Sequence, residues 1–235
     1  MNYWDNLDAS LDELAENGFC YLPTINGLID NESITKKVVG ELGDHVYTSG
    51  TPSHTEFRND FGITDILTPK LYQLAKDKLG YKGSIDNQYH IARYVVPGSV
   101  SEAYRGHFDS HLFTLVMPIQ IPIDETTGKA TGGTLEFFPK VRPLPKNEFQ
   151  NVAQKLKFKA YANQEGFKKL EQISKKCEED FSAGRPLLFM GNQTFHGNGL
   201  VPSASDKGRL SLLSHFFDPT PKWGSGAILR ALRPR

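Results

Sequence analysis

The stretch His107-Phe108-Asp109-Ser110-His111 decides how this chain is read. In an extended strand, residues two apart face the same way and lie about 6–7 Å apart. His107 and Asp109 can therefore reach one ion, while Phe108 points the other way into packing. A third donor has to come from elsewhere, and His196 is the best placed. It sits in Phe189-Met190-Gly191-Asn192-Gln193-Thr194-Phe195-His196-Gly197-Asn198-Gly199, the end of an apolar strand followed by polar, glycine-rich loop chemistry. Two imidazoles and one carboxylate on one side of an ion leave the opposite positions open, an arrangement suited to oxygen-activating Fe(II). Zinc hydrolases draw on the same donors, and a lone His-x-Asp pair recurs by chance. The triad alone does not choose between them.

A downstream arginine separates the options. In Gly208-Arg209-Leu210-Ser211-Leu212-Leu213-Ser214-His215-Phe216-Phe217 the alternation of polar and apolar residues predicts a strand with Arg209 and Ser211 on one face. A guanidinium offers a planar fork that matches a carboxylate, and a neighbouring hydroxyl adds a third donor. A charged arginine facing a barrel interior is costly unless an anion meets it. The pattern therefore points to one metal ion and one small dicarboxylate.

In this order and spacing the pieces resemble the Fe(II)/2-oxoglutarate-dependent dioxygenases, and within them the phytanoyl-CoA hydroxylase-like group. Asn17-Gly18-Phe19-Cys20-Tyr21-Leu22-Pro23 followed by Gly27-Leu28-Ile29-Asp30 is similar to the opening of that family. His107-Phe108-Asp109-Ser110-His111, Gly132-Gly133-Thr134-Leu135-Glu136-Phe137-Phe138-Pro139, Gly184-Arg185-Pro186-Leu187-Leu188-Phe189, His196 and Arg209-Leu210-Ser211 follow. Lys140-Val141-Arg142 stands where the family has Gly-Ser-His after the proline, so no role is carried over to that segment. The resemblance implies an all-β core with flanking helices, a double-stranded β-helix (jelly-roll, cupin-like). It implies Fe(II) on His107, Asp109 and His196, 2-oxoglutarate held by Arg209 with Ser211, and O2 as co-reactant. The implied reaction is hydroxylation of an unactivated C–H bond in a small-molecule metabolite. The carboxylate that chlorinating relatives lack is present, which disfavours halogenation. A metal-dependent hydrolase or isomerase on a cupin-like barrel, and a non-catalytic binding module, are the competing readings; the first leaves Arg209 unexplained and the second leaves the intact triad unexplained.

With 235 residues, one oxygenase domain is expected over 1–235, with a helical insertion at about 146–183, where Leu170, Ile173, Cys177 and Phe181 fall on one helical face. Such an insertion can cover an active site or merely shield the sheet. Lys plus Arg and Asp plus Glu both number 27, a balance that argues against broad nucleic-acid binding. The basic residues Arg230, Arg233 and Arg235 read as a solvated tail. Two cysteines without a spacing pattern, no signal peptide and no long apolar run suggest a cytoplasmic protein with no membrane span. Oligomeric state is not legible.

Helices are expected near Leu7–Ala15, ending at Asn17-Gly18, and over Ile34–Leu42 and Leu71–Leu79. The region from His45 to Ile66 shows no period and reads as a loop at the site mouth, with His54 and Arg58 expected at the surface, where they could meet an anionic substrate. Gln88 to Val95 reads as a strand with Gln88, His90, Ala92 and Tyr94 on one face. In related enzymes this strand lines the cosubstrate pocket, and Gln88 and Tyr94 are the residues expected to do so. Phe113–Ile123 is expected as a core strand and Asp124–Lys129 as a turn. His111, on the same side as Asp109, is read as either a contact near the site or a packed histidine.

Overall fold

The structure, a computed structural model, describes residues 2–43 and 45–219. The tail with Arg230, Arg233 and Arg235 lies outside them. Leucines at helical spacing build α1 (Leu7–Asn17), which buries Leu7, Leu11 and Leu14. Gly18 ends it in the left-handed region at φ 85°, donating its N–H to the Leu14 carbonyl. The chain then forms β1 (Phe19–Tyr21), α2 (Asn31–Leu42), β2 (Tyr47–Ser49), α3 (Pro52–Asp60), α4 (Thr68–Leu79) and β3 (Gln88–Val95). After β4 (Phe113–Gln120) and β5 (Leu135–Phe138) come α5 (Glu148–Phe158) and α6 (Gln164–Glu171). The last elements are β6 (Cys177–Glu179), β7 (Leu187–Phe189), β8 (Phe195–Asn198) and β9 (Arg209–Phe216).

The strands form a six-stranded sheet in the order β1-β7-β4-β9-β3-β2 and a three-stranded sheet in the order β6-β5-β8. All pairings are antiparallel. The sheets face each other across Val116, Leu187 and Phe189 from one and Leu135 and Phe137 from the other. This is the double-stranded β-helix that the sequence implied. Helices α1 to α4 cover the outer face of the large sheet, packing on Ala92, Met117, Leu210 and Leu212. Helices α5 and α6 cover the other side, where Phe158, Phe167 and Leu170 pack on Phe108, Phe138 and Phe195. Among the described residues no helix is long and apolar enough to cross a membrane.

Two regions differ from expectation. Residues 45–66 are ordered as β2, α3 and a π turn over Ile63–Leu67, not as a loop. Thr51 accepts the His54 N–H and Pro52 occupies the first turn, a start signal that outweighs the polar character of the segment. His54 is accordingly buried, at 1% exposure, and does not lie at the surface. Helix α6 stops at Glu171, so the expected helical face through Cys177 and Phe181 is broken: Ile173 is exposed and Cys177–Glu179 pairs with Leu135–Phe137 as β6. Sheet pairing overrides a helical spacing that arises by coincidence.

The helices between β5 and β6 are fixed to the two strands that carry the site histidines. A Cβ at Gly106 would fall 2.4 Å from the Phe195 ring and 2.7 Å from that of Phe167, and one at Gly197 would fall 3.0 Å from Phe167. Phe167→Ala removes the ring that touches both glycines, so a loss of about 3–5 kcal/mol is expected. Urea unfolding of the variant checks it; an unchanged midpoint would show that α6 contributes nothing to this packing.

Candidate metal centre

The backbone brings His107 and His196 together. Each donates its N–H to the other's carbonyl, both at 3.0 Å, as an isolated antiparallel bridge. Residues paired in this way present their side chains on the same face. The two rings lie 4.4 Å apart, centroid to centroid. Asp109 joins them, with Oδ1 3.6 Å from His107 Nε2 and Oδ2 3.7 Å from His196 Nε2. One donor atom from each residue lies within 4.8 Å of the other two. An ion with bonds of about 2.0–2.2 Å holds neighbouring donors about 3 Å apart, so the set is slightly open around a metal-sized gap.

The surroundings fix the donor atoms. Nδ1 of His107 faces the Arg105 carbonyl at 2.8 Å, and Nδ1 of His196 faces the Thr194 carbonyl at 3.1 Å. Both carbonyls accept, so each Nδ1 carries the proton and each Nε2 lone pair is left for the gap. Thr114 donates to Asp109 Oδ2 at 2.6 Å. That commits the Thr114 proton, so Nδ1 of His215, at 3.0 Å, donates to Thr114. Gly191 carries its backbone past the carboxylate and accepts the Asp109 N–H; a Cβ there would stand 2.5 Å from Thr114 Oγ1 and 3.0 Å from Asp109 Oδ2. Burial pushes His196 down to about 4, with Asp109 opposing only in part. Burial also disfavours ionised Asp109, but the facing rings of His196 and His215, with His107 beside them, outweigh it and hold the carboxyl well below its usual range. Neutral imidazole beside ionised carboxylate is the protonation state that metal binding requires.

Arg209 lies next along the same barrel face. Asn198 follows His196 by two on β8, and its Oδ1 accepts from Arg209 Nη1 at 2.7 Å. Arg209 Nη1 also donates to the Gly133 carbonyl, and its guanidinium lies over the Phe181 ring. It is 4% exposed, and among the described residues no carboxylate forms an ion pair with it. Burial and then the positive charge of Arg93 push it down to about 9, with Glu179 opposing in part. Arg93 itself is paired, at 2.9 Å from Glu102. Ser211, on the same face as Arg209, is 5% exposed and its Oγ has no hydrogen-bond partner. An unneutralised buried cation and an orphaned hydroxyl are both costly. A carboxylate would meet both.

Gln88 and Tyr94, expected to line this pocket, do not. Tyr94 pairs with Leu210 and Gln88 with Phe216, so both turn to the helix-covered face. The Gln88 amide donates to the Ile85 carbonyl, and Tyr94 packs on the helix-side core. Their neighbours Tyr89, Ile91, Arg93 and Val95 share the face of Arg209 and Ser211 instead. Alternation revealed two faces of β3 without saying which was inward; the pairing with β9 decides it. The sequence also missed Thr114, Asn198 and His215; the position of Asn198, two after His196, was the available signal. His111 is a packed ring, 5.6 Å from His215 and 6.4 Å from Tyr89.

No family model matches this chain, and no curated protein sequence matches it. Solved structures do. A prolyl-4-hydroxylase from Pseudomonas putida superposes with a TM-score of 0.51 at 14% identity, covering 90% of this chain and 98% of that one. A non-heme alpha ketoglutarate dependent carbocyclase from nogalamycin biosynthesis gives 0.57 at 12% identity, covering 100% of this chain and 94% of that one. These chains share one fold. At such identities the likeness speaks for architecture alone, and the chemistry has to come from the side chains.

Thr114→Val keeps the shape of the side chain and removes both of its hydrogen bonds in this network. Co(II) affinity, followed by visible absorption, is expected to fall about 10–100-fold. Unchanged affinity would mean that Asp109 needs no orienting partner.

Proposed function

We propose that the chain is an Fe(II)/2-oxoglutarate-dependent oxygenase that hydroxylates an unactivated C–H bond of a small-molecule metabolite. The observation that carries this reading is the buried Arg209, in ion-pair contact with no carboxylate among the described residues and bonded to Asn198, the inward neighbour of His196 on β8. A metal triad alone fits a hydrolase equally well. A triad with a cationic, hydroxyl-bearing pocket beside it fits a dicarboxylate that binds metal at one end and the protein at the other. The shared fold with a prolyl-4-hydroxylase and an alpha ketoglutarate dependent carbocyclase supports it. The ordered motifs favour the phytanoyl-CoA hydroxylase-like group within that superfamily.

In this reading His107 and His196 would hold the ion through Nε2 and Asp109 through a carboxylate oxygen. Arg209 and Ser211 would receive the far carboxylate of 2-oxoglutarate. When bound, iron and 2-oxoglutarate supply the oxidising power: one oxygen atom of O2 ends in the product alcohol and the other in succinate, with carbon dioxide released. The protein positions and shields. Thr114 and His215 fix the carboxylate ligand, while Phe189, 4.8 Å from the His196 ring, keeps one side of the site dry. The other side is open, because the His107 side chain is half exposed, and the substrate would enter there. The two cysteines are unpaired, in keeping with a reducing, cytoplasmic setting.

The test is succinate release across metabolite pools with Fe(II) and 2-oxoglutarate, with mass spectrometry for a product heavier by one oxygen. Loss of two hydrogens would instead indicate ring closure or desaturation. His196→Ala and Asp109→Ala are expected to abolish turnover. Arg209→Ala is expected to weaken 2-oxoglutarate binding by about 2–5 kcal/mol, measured by anaerobic calorimetry with Mn(II) present. Equal turnover of Arg209→Ala and wild type at low 2-oxoglutarate would remove Arg209 from the site.

A further inference from the structure

A second polar cavity lies on the other face of the large sheet. It has a volume of about 270 Å³, lies between α3 and the start of β3, and is lined by His54, Arg58, Gln88, Tyr89 and His90 among others. Its walls carry buried polar atoms that meet nothing: both ring nitrogens of His54, Nδ1 of His90, Nε of Arg58 and Oε1 of Gln88. His54 is 1% exposed. A buried polar atom left unpaired costs about 1–3 kcal/mol, and several of them around one cavity point to a site for a polar ligand. Sequence conditions bring them together. His54 and Arg58 are one helical turn apart on α3, so they share a side. Gln88 and His90 are two apart on β3, so they share a face that the α3 side of the fold covers. The rings of His54 and His90 meet edge to face at 5.9 Å.

The wall chemistry selects the ligand. Among the described residues no carboxylate lines the cavity. Burial, with the charge of Arg58 as a second cause, pushes His54 down to about 3 and His90 to about 2. At neutral pH each imidazole therefore offers one N–H and one lone pair, and Arg58 supplies the positive charge. Oε1 of Gln88 is an acceptor, because the amide nitrogen already donates to Ile85. We propose that this cavity binds the anionic end of a small hydroxylated acid, a carboxylic acid or a phosphate ester, with Arg58 and the two histidines donating to the anion and Gln88 accepting from the hydroxyl. The site is separate from the pocket at Arg209: His90 pairs with Ser214 near one end of β9, whereas Arg209 pairs with Val95 at the other. It stands whether or not a metal binds the triad. Tyr89 links it to the triad, lining the cavity and stacking 6.1 Å from the His215 ring that bonds Thr114, and His54 and His90 also feel His215.

The experiment is a titration of the full chain followed by histidine ring signals in ¹H–¹³C NMR, in chloride buffer near neutral pH. One arm uses inorganic phosphate and the other glycolate. Saturable shifts of the His54 and His90 signals in at least one arm are expected, while those of His107 and His196 stay in place. A response to phosphate alone assigns phosphate esters, and a response to glycolate alone assigns carboxylic acids. Arg58→Gln is expected to raise the dissociation constant at least tenfold. No saturable shift in either arm overturns the proposal, as does an unchanged constant in a folded Arg58→Gln protein. The wild-type titration decides the matter if that variant does not fold.

Discussion

Everything at the site hangs on one backbone pair, the mutual hydrogen bonds between His107 and His196. These residues are far apart in sequence, and neither belongs to a long strand at that point. The pairing sets both imidazoles on one face, tilted to each other with centroids 4.4 Å apart. Once it forms, Asp109 follows two residues later on the same side, and Asn198 two residues after His196 points toward Arg209. The candidate metal donors and the cationic pocket are thus consecutive positions on one short ladder. Fixing its register fixes all of them.

That register is held from behind by aromatic packing. Phe108 and Phe195, the neighbours of the two paired histidines, point outward into the cluster of Phe138, Phe158, Phe167 and Leu170. Arg142 lies over the Phe108 ring and donates to the Asn192 carbonyl in the loop before His196. The helices between β5 and β6 therefore buttress the site from outside. A site held by packing and by hydrogen bonds to Nδ1 and to the carboxylate is already arranged before anything binds, and little ordering remains to oppose ligand binding.

The chain announced the fold and the site unevenly, for physical reasons. The period-two pattern of Arg209–Phe216 and the glycine stop after α1 are local rules, and both hold in the structure. The candidate triad was legible because His107 and Asp109 fit a strand spacing and His196 is followed by Arg209-Leu210-Ser211, and the structure brings its three donors within 4.8 Å of one another. What failed was information carried by partners. Gln88 and Tyr94 were placed inward from the role of this strand in related enzymes, yet pairing with β9 puts Arg93 on the inward face, where Glu102 neutralises it. Cys177 was placed on a helix because its pairing with Phe137 is invisible from either segment alone. Residues 45–66 looked structureless because α3 is polar along most of its length and its start rests on a single threonine cap. His54, taken for a surface residue for that reason, is buried beneath it.

The central claim is that three distant side chains surround one ion with a cosubstrate anchored beside them. An anaerobic crystal structure with Mn(II) and 2-oxoglutarate tests it directly. The account predicts an anomalous peak about 2.0–2.2 Å from Nε2 of His107, Nε2 of His196 and a carboxylate oxygen of Asp109, with the far carboxylate of 2-oxoglutarate on Arg209 and Ser211. A metal bound elsewhere, or a keto acid whose far end leaves Arg209 unpaired, would contradict it.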